Sequence, residues 1–504
     1  MAVEKTISNV PFPTNPDEIE LIIDDAPEDT ADTTVMLEDG GAIINYQEPS
    51  QLGGAFDSNL AEELPDGYLR ELASELIGSY QEDLESRQDW YDTYTEGLDL
   101  LGVKTDDREE PFRGASGVYH PLLAESATQF QSQAYKEMLP PSGPVNCRIL
   151  GESTKEVEEQ AKRVKDYMNY LILDVMEEFD SELDQMLYYL PLSGSTFKKT
   201  YYDPNLNRPV SIFVPVDDLV VSYTESNLQT CPRFTHIVNM VRNDLRKLQV
   251  SGFYRDIDFE NKTSDNYSGD EPAQELTGFR PSVDNYDNIK LLEMHVDLDL
   301  EGYEDKGEDG EPTGIALPYV VTLHEDSLEV LSIRRNYLEG DINKTKRKHF
   351  THYKFTPGLG FYGFGLIHMI GGLTKSATSI LRQLIDAGTL ANLPAGFKAR
   401  GLRVRDEDLP LQPGEFRDVD APGSSIREAI MPLPYKEPSP TLANLLGVLI
   451  DSGRRFAAVA DNKIADTSQA MPVGTTVALL EQGTKILSAI HKRLHHAQRQ
   501  ELRI

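Results

Sequence analysis

The stretch LIHMIGGLTKSATSILRQLIDAGTLANLP, Leu366–Pro394, decides how the rest of this 504-residue chain is read. Leu373, Ile380, Leu384 and Ala387 recur on one side at helical spacing, and the pattern halts at Pro394-Ala395-Gly396. Residues 395–438 are short, proline-punctuated, β-like pieces of mixed charge. They are too small to own a core, so they are expected to bury apolar surface against another chain. Ser439-Pro440 then restarts a helix, a hydroxyl N-cap with proline in the first turn, and TLANLLGVLIDSGRRFAAVA runs on from it. A polar loop broken by Pro472 and Gly474 follows. Beyond it a last helix carries Val477, Leu480, Leu487, Ile490, Leu494 and Ala497 and reaches Ile504 with no capping signal, as if the native chain continued.

Upstream, Leu69, Leu72, Leu76 and Ile77 begin a helical pattern near Gly67, and LLAESATQFQSQAYKEMLP makes a second helix that stops at Pro140-Pro141. A third is expected from about Lys155 to Leu190, with Val164, Tyr167, Leu171, Val175, Phe179, Leu183 and Leu187 on one stripe. GSTFKKTYYDPNLNRPVSIFVPVDDLVVS reads as a hairpin around Asp203-Pro204-Asn205, with a strand leading into Val216 and Asp217. KLLEMHVDLDL and YVVTLHEDSLEVLSIRR alternate at period two. The fold class is therefore α+β.

Composition narrows the function. Against 48 Lys+Arg stand 84 Asp+Glu, a formal net charge of -36, which repels polyanions and is not the basic face of an ordinary nucleic-acid binder. Residues 1–60 hold 13 of those acids and one basic residue, Lys5, the composition of an arm that is disordered or docked on a neighbour. Cys147 and Cys231 fit neither a disulfide framework nor a zinc site. The longest apolar run, LANLLGVLI, is far short of the ~20 residues a bilayer crossing needs, so no membrane partner is expected.

Three motif matches lead elsewhere. DLDLEGYEDKGE, Asp297–Glu308, approaches a calcium loop, but strand patterns flank it and a solvated hairpin tip is expected. GLGFYG, Gly358–Gly363, is formally a dinucleotide fingerprint with Asp386 at the ribose position, yet bulky Phe361 and Tyr362 fill the pyrophosphate space, so it reads as a turn feeding a helix. His491 and His495 stand at i, i+4 on a helix with Lys492 where a metalloprotease needs glutamate, so they read as solvated histidines. No Gly-Lys dipeptide exists for a phosphate loop. With no nucleophile–base pair in view, the chain is expected to be no enzyme, and no metal or cofactor is expected.

Helix, small β insert, returning helix, polar loop, long helix: this order resembles the portal proteins of tailed bacteriophages, closest to the larger portals of short-tailed phages, over roughly residues 65–504. GSTFKKTYYD with VPVDDLVV, GFYGFGLIHMIGGLTKSATSILRQ, ANLPAGF, SPTLANLLGVLI and VALLEQGTKILSAIHKR carry it together. The resemblance implies a ring-forming fold with an α/β wing over 61–360, paired stem helices at 361–394 and 439–459, and a clip at 395–438. It further implies a tunnel loop at 460–475 and a C-terminal wing/core helix at 476–504, with the family's crown not present.

By the same resemblance the partners are other copies of the chain, typically twelve, a terminase large subunit, tail adaptor proteins, and major capsid and scaffolding proteins. Double-stranded DNA would pass non-specifically through the channel at a virion vertex, the protein being made in the host cytoplasm. Asn462, Lys463, Asp466, Thr467, Ser468 and Gln469 would line that channel with weak, sequence-blind contacts. Lys398, Arg400, Arg403, Arg405, Asp406, Glu407 and Asp408 would present the clip to motor and adaptor. Another ring-forming head-to-tail adaptor of a virion is the nearest alternative, and an uncharacterised enzyme a more distant one.

Overall fold

The computed structural model describes residues 34–36, 42–44, 56–103, 108, 110, 112, 114–149, 151–203, 206–257, 288–306, 311–392, 396–398, 403–404, 419–420, 430–432, 435–457 and 489–504. In chain order its elements open with β1 (Thr34–Met36), β2 (Ala42–Ile44), α1 (Asp66–Leu98), α2 (Leu122–Met138), α3 (Lys155–Tyr170) and α4 (Glu178–Ser193). There follow β3 (Ser195–Asp203), β4 (Arg208–Val214), β5 (Leu219–Val220), β6 (Arg233–Val241), α5 (Arg242–Val250), β7 (Asn288–Leu298), β8 (Leu317–His324), β9 (Glu329–Arg335) and β10 (Phe350–Lys354). The chain ends with α6 (Leu366–Asn392), β11 (Gly396–Lys398), β12 (Arg403–Val404), β13 (Val419–Asp420), β14 (Ile430–Pro432), α7 (Pro440–Ala457) and α8 (489–501).

Residues 1–58 and 59–504 are separate compact units. In the first, β1 and β2 pair antiparallel with Val35 opposite Ile43; most of the acidic arm lies outside the described residues.

In the second unit the period-two segments become an antiparallel sheet of order β5-β6-β7-β8-β9, and the predicted hairpin becomes β3–β4 in a sheet of order β10-β3-β4. β7 is covered on both faces: Leu291, Leu292 and Met294 are all fully buried. A main apolar core joins Trp90 and Tyr94 of α1, Phe130 of α2, Phe179, Leu183 and Leu187 of α4, Phe197 of β3, Ile370 of α6, and Leu494 of α8. A smaller one, Leu245, Tyr254, Leu291 and Leu331, holds α5 to the larger sheet. Leu69, Leu72, Leu76 and Ile77 are buried along α1, as their spacing predicts.

The expected single helix over 155–190 is two. The Met176 N–H reaches back five residues to the Leu171 carbonyl at 2.8 Å, a widened π turn over Leu171–Val175, and α4 starts anew at Glu178. A turn closed over five residues holds one more residue than an α turn, which swings the following stripe around the axis by about 100°. So Phe179, Leu183 and Leu187 face the core, while Val164 and Tyr167 stay 47% and 61% exposed.

Candidate functional site

The paired helices start from a turn packed backbone to backbone. In the GLGFYG segment, a Cβ on Gly358 would sit 2.0 Å from the Tyr362 carbonyl oxygen, one on Gly360 2.5 Å from that of Tyr223, and one on Gly363 2.4 Å from that of Gly194. These glycines thus serve close chain packing, leaving no cradle for phosphate. Phe361 and Tyr362 are fully buried, and the Trp90 indole N–H donates to the Gly363 carbonyl at 3.0 Å. Behind the turn, Ser195 Oγ accepts from the Gly363 N–H at 2.8 Å and bonds His352 Nε2 at 3.0 Å. This serine–histidine pair went unseen in the sequence. Ser195 is fully buried and the half-buried imidazole packs against both the Phe197 and Phe361 rings, so the pair ties β3 to the turn.

From there α6 runs out of the core. Leu366, Ile367, Ile370, Thr374 and Ala377 are buried at its base. Of the stripe expected from the sequence, Ile380 is buried, whereas Leu373, Leu384 and Ala387 are half-buried, because α6 packs on α1, α2 and α4 at its base and on α7 besides. Midway, polar side chains hold the 116–120 segment: Asp386 Oδ1 accepts from the Ser116 N–H at 2.7 Å and Thr378 Oγ1 from the His120 N–H at 3.1 Å. Arg382 Nε donates to the Val118 carbonyl at 2.8 Å. Asp386, the formal ribose ligand, is thereby a structural acceptor.

α7 begins at Pro440, with the Ser439 carbonyl accepting from Ala443 at 3.2 Å, where the sequence places the start. It returns along α6, and Arg454 bonds Glu125 of α2 at 3.2 Å. Yet among its residues of described burial only Gly453 is buried. Leu442, Leu446, Leu449 and Ile450 are half-buried, while Leu445 and Val448 are 45% and 61% exposed, as is Ile385 on α6 in smaller measure. Among the described residues, then, α7 is an apolar helix with thin cover.

Between the helices lie two small antiparallel pairs, β11 with β14 and β12 with β13. Lys398 stands in register opposite Ile430, and Arg403 opposite Asp420. Arg400, Arg405, Asp406, Glu407 and Asp408, and the loop residues Asn462, Lys463, Asp466, Thr467, Ser468 and Gln469, lie outside the described residues.

The described chain resumes at 489 with α8, which is fixed by buried charge, and Val477, Leu480 and Leu487 of the expected last helix lie outside the described residues. Lys198 Nζ of β3 bonds Glu501 Oε1 at 3.2 Å, with 0% and 2% of the two side chains exposed. Ser211 Oγ donates to the same oxygen at 2.6 Å, Tyr353 Oη to Oε2, and the ammonium lies 3.8 Å over the Phe179 ring. The solvated-histidine reading is half wrong: His495 is exposed, but His491 is 9% exposed and pairs through Nδ1 with Glu137 of α2. Leu494 and Ala497 carry that face of α8 into the core and take His491 with them.

A second polar cluster joins the two sheets. Lys199 Nζ of β3 lies 2.7 Å from both oxygens of Glu293 on β7, and Glu293 Oε1 is 3.1 Å from His295 Nε2. Burial pushes the Glu293 carboxyl up, but Lys199 and the imidazole bonds outweigh it and hold the group well below the usual carboxylate range. Burial lowers His236 and His295, and brings His349, with His295 and Arg347 nearby, down to about 4. Asp305, in the calcium-like segment beyond β7, bonds Lys344 and the Thr313 hydroxyl. Among the described residues no group of three or more His, Cys, Asp or Glu is placed to hold a metal, and no helix is long and apolar enough to cross a membrane.

No protein-family model matches the chain, and no curated protein matches it.

Proposed function

We propose that the chain is a portal-type protein: copies close into a ring whose channel passes double-stranded DNA, with the segment between α6 and α7 facing a packaging motor and later a tail adaptor. The observation that carries this reading is α7, an apolar helix whose described large side chains stay half-buried or exposed although it packs along α6 and Arg454 holds it to α2 of a well-packed body. A heterologous surface of that kind is satisfied by closed cyclic symmetry, each copy covering the next. The formal charge of -36 suits a conduit for DNA, since an acidic wall keeps phosphates from settling on it, whereas each neutralised phosphate would add salt-dependent affinity and drag.

Negative-stain microscopy of the purified chain tests the assembly. Rings with a central hole are expected; a compact monomer at micromolar concentration overturns the reading. Deleting Lys398–Tyr435 should abolish stable rings and leave the body folded. Substituting Asp466, Thr467 and Ser468 by lysine should spare rings but slow DNA passage, with the defect easing as salt rises. Normal packaged length and retention in those particles would remove the DNA channel from the proposal.

A further inference from the structure

On α3, Val157, Ala161, Val164, Met168 and, at the start of the following turn, Leu171 succeed one another at steps of four, three, four and three residues. That is the a/d spacing of a coiled-coil seam, in which one apolar stripe is met by the same spacing on a second helix. Val157 and Val164 are exposed, Ala161, Met168 and Leu171 are half-buried, and Tyr167 beside the stripe is exposed. The helix is held at its C-terminal end, where Asn169 Oδ1 accepts from the Val145 N–H at 2.9 Å and its amide donates back to the Val145 carbonyl at 3.2 Å. Its side chains from Lys155 to Gln160 are all exposed.

The charges beside the seam select the occupant. Glu158 and Lys165 flank the same edge of the stripe, seven residues apart. When two copies of α3 lie antiparallel, the layers become Val157 with Met168 and Ala161 with Val164, each made twice by symmetry. The same register sets Glu158 of each copy against Lys165 of the other. A parallel pair would instead put Lys165 beside Gln160 and leave Glu158 without a cation. We propose that α3 is a self-recognition helix, pairing antiparallel with α3 of a second copy of this chain. Such a two-fold contact cannot form between neighbours of a cyclic ring, where contacts run head to tail. It therefore joins two rings, or two free chains where no ring has formed, and stands apart from the assembly proposed above.

The test is the sedimentation mass of the full chain. The wild type is expected at twice the mass of Val164→Asp, whether the halved species is a ring or a single chain. Val164 is exposed, so the variant should keep its far-UV spectrum and melting behaviour. Glu158→Lys alone should weaken association about tenfold, as two attractive contacts become repulsive. Glu158→Lys with Lys165→Glu should restore it, which holds even if Val164→Asp misfolds. An unchanged mass in Val164→Asp, no recovery in the double variant, or a wild type that never doubles overturns the pairing. So does a chain lacking residues 1–58 that associates more strongly than the intact one, since the acidic arm would then be what covers α3.

Discussion

The body around β3, β7 and α8 and the α6–α7 pair both carry large apolar side chains, but they cover them differently. In the body even charges are enclosed: Lys198, Glu501 and Tyr353 satisfy one another with almost no water in reach. On α7 large apolar side chains stay half in solvent. Among the described residues the body encloses its apolar and charged groups, whereas the helix pair leaves large apolar side chains open, the surface that the proposed ring would cover. Substitution should therefore lower stability in the first region and change assembly in the second.

The sharpest way to break that contrast is Glu501→Gln. It leaves the buried Lys198 ammonium without its carboxylate, and a loss of ~3–5 kcal/mol in urea unfolding is expected; a loss below about 1 kcal/mol would mean the cluster is open to water. Gly363→Ala should cost less, ~1–3 kcal/mol by forced overpacking, because its Cβ would press on the carbonyl oxygens of Gly194 and Thr356. Its check is the melting temperature.

Acid should reach the body through its imidazoles. The unfolded His349 ring takes a proton near 6.5 and the folded one near 4, so its contribution is whole above 6.5 and is lost as pH falls toward 4. His236 and His295, also lowered, act in the same direction, and Glu293 adds to the loss at still lower pH. His349→Gln should flatten the fall in urea midpoint between those pH values; an unchanged slope would remove His349 as a contributor. The smallest effect on a single chain is expected from Leu445→Asp, within ~0.5 kcal/mol as at other exposed positions, although ring yield on micrographs should collapse. A large stability loss there would erase the distinction between the regions.

How much of this was legible beforehand depended on distance along the chain. The strands β7, β8 and β9 declare themselves by alternation, and α7 by Ser439-Pro440, because those signals are local. The break between α3 and α4 was hidden, since LILDV carries neither proline nor glycine and the apolar stripe runs through it unbroken. Nothing near Lys198 announces Glu501, nor near Ser195 His352, because each pair is assembled from elements far apart in sequence. The glycine spacing at Gly358–Gly363 was visible, but its purpose, contact with the Tyr223 and Gly194 backbones, is long-range. The clip and loop residues singled out from the family resemblance lie mostly outside the described residues, and the site as built rests on α6, α7 and their anchors.

The Lys198–Glu501 pair spans 303 residues of sequence, which has a consequence for biosynthesis. While the ribosome is still adding the second half of the chain, β3 has emerged with a lysine whose native carboxylate does not yet exist. Enclosing that ammonium alone is costly, so closure of the β10-β3-β4 sheet over α4 is expected to be disfavoured until Glu501 arrives with α8. Until then the nascent body stays loose, and a chain truncated before residue 501 should be cleared by proteases before it can meet another copy.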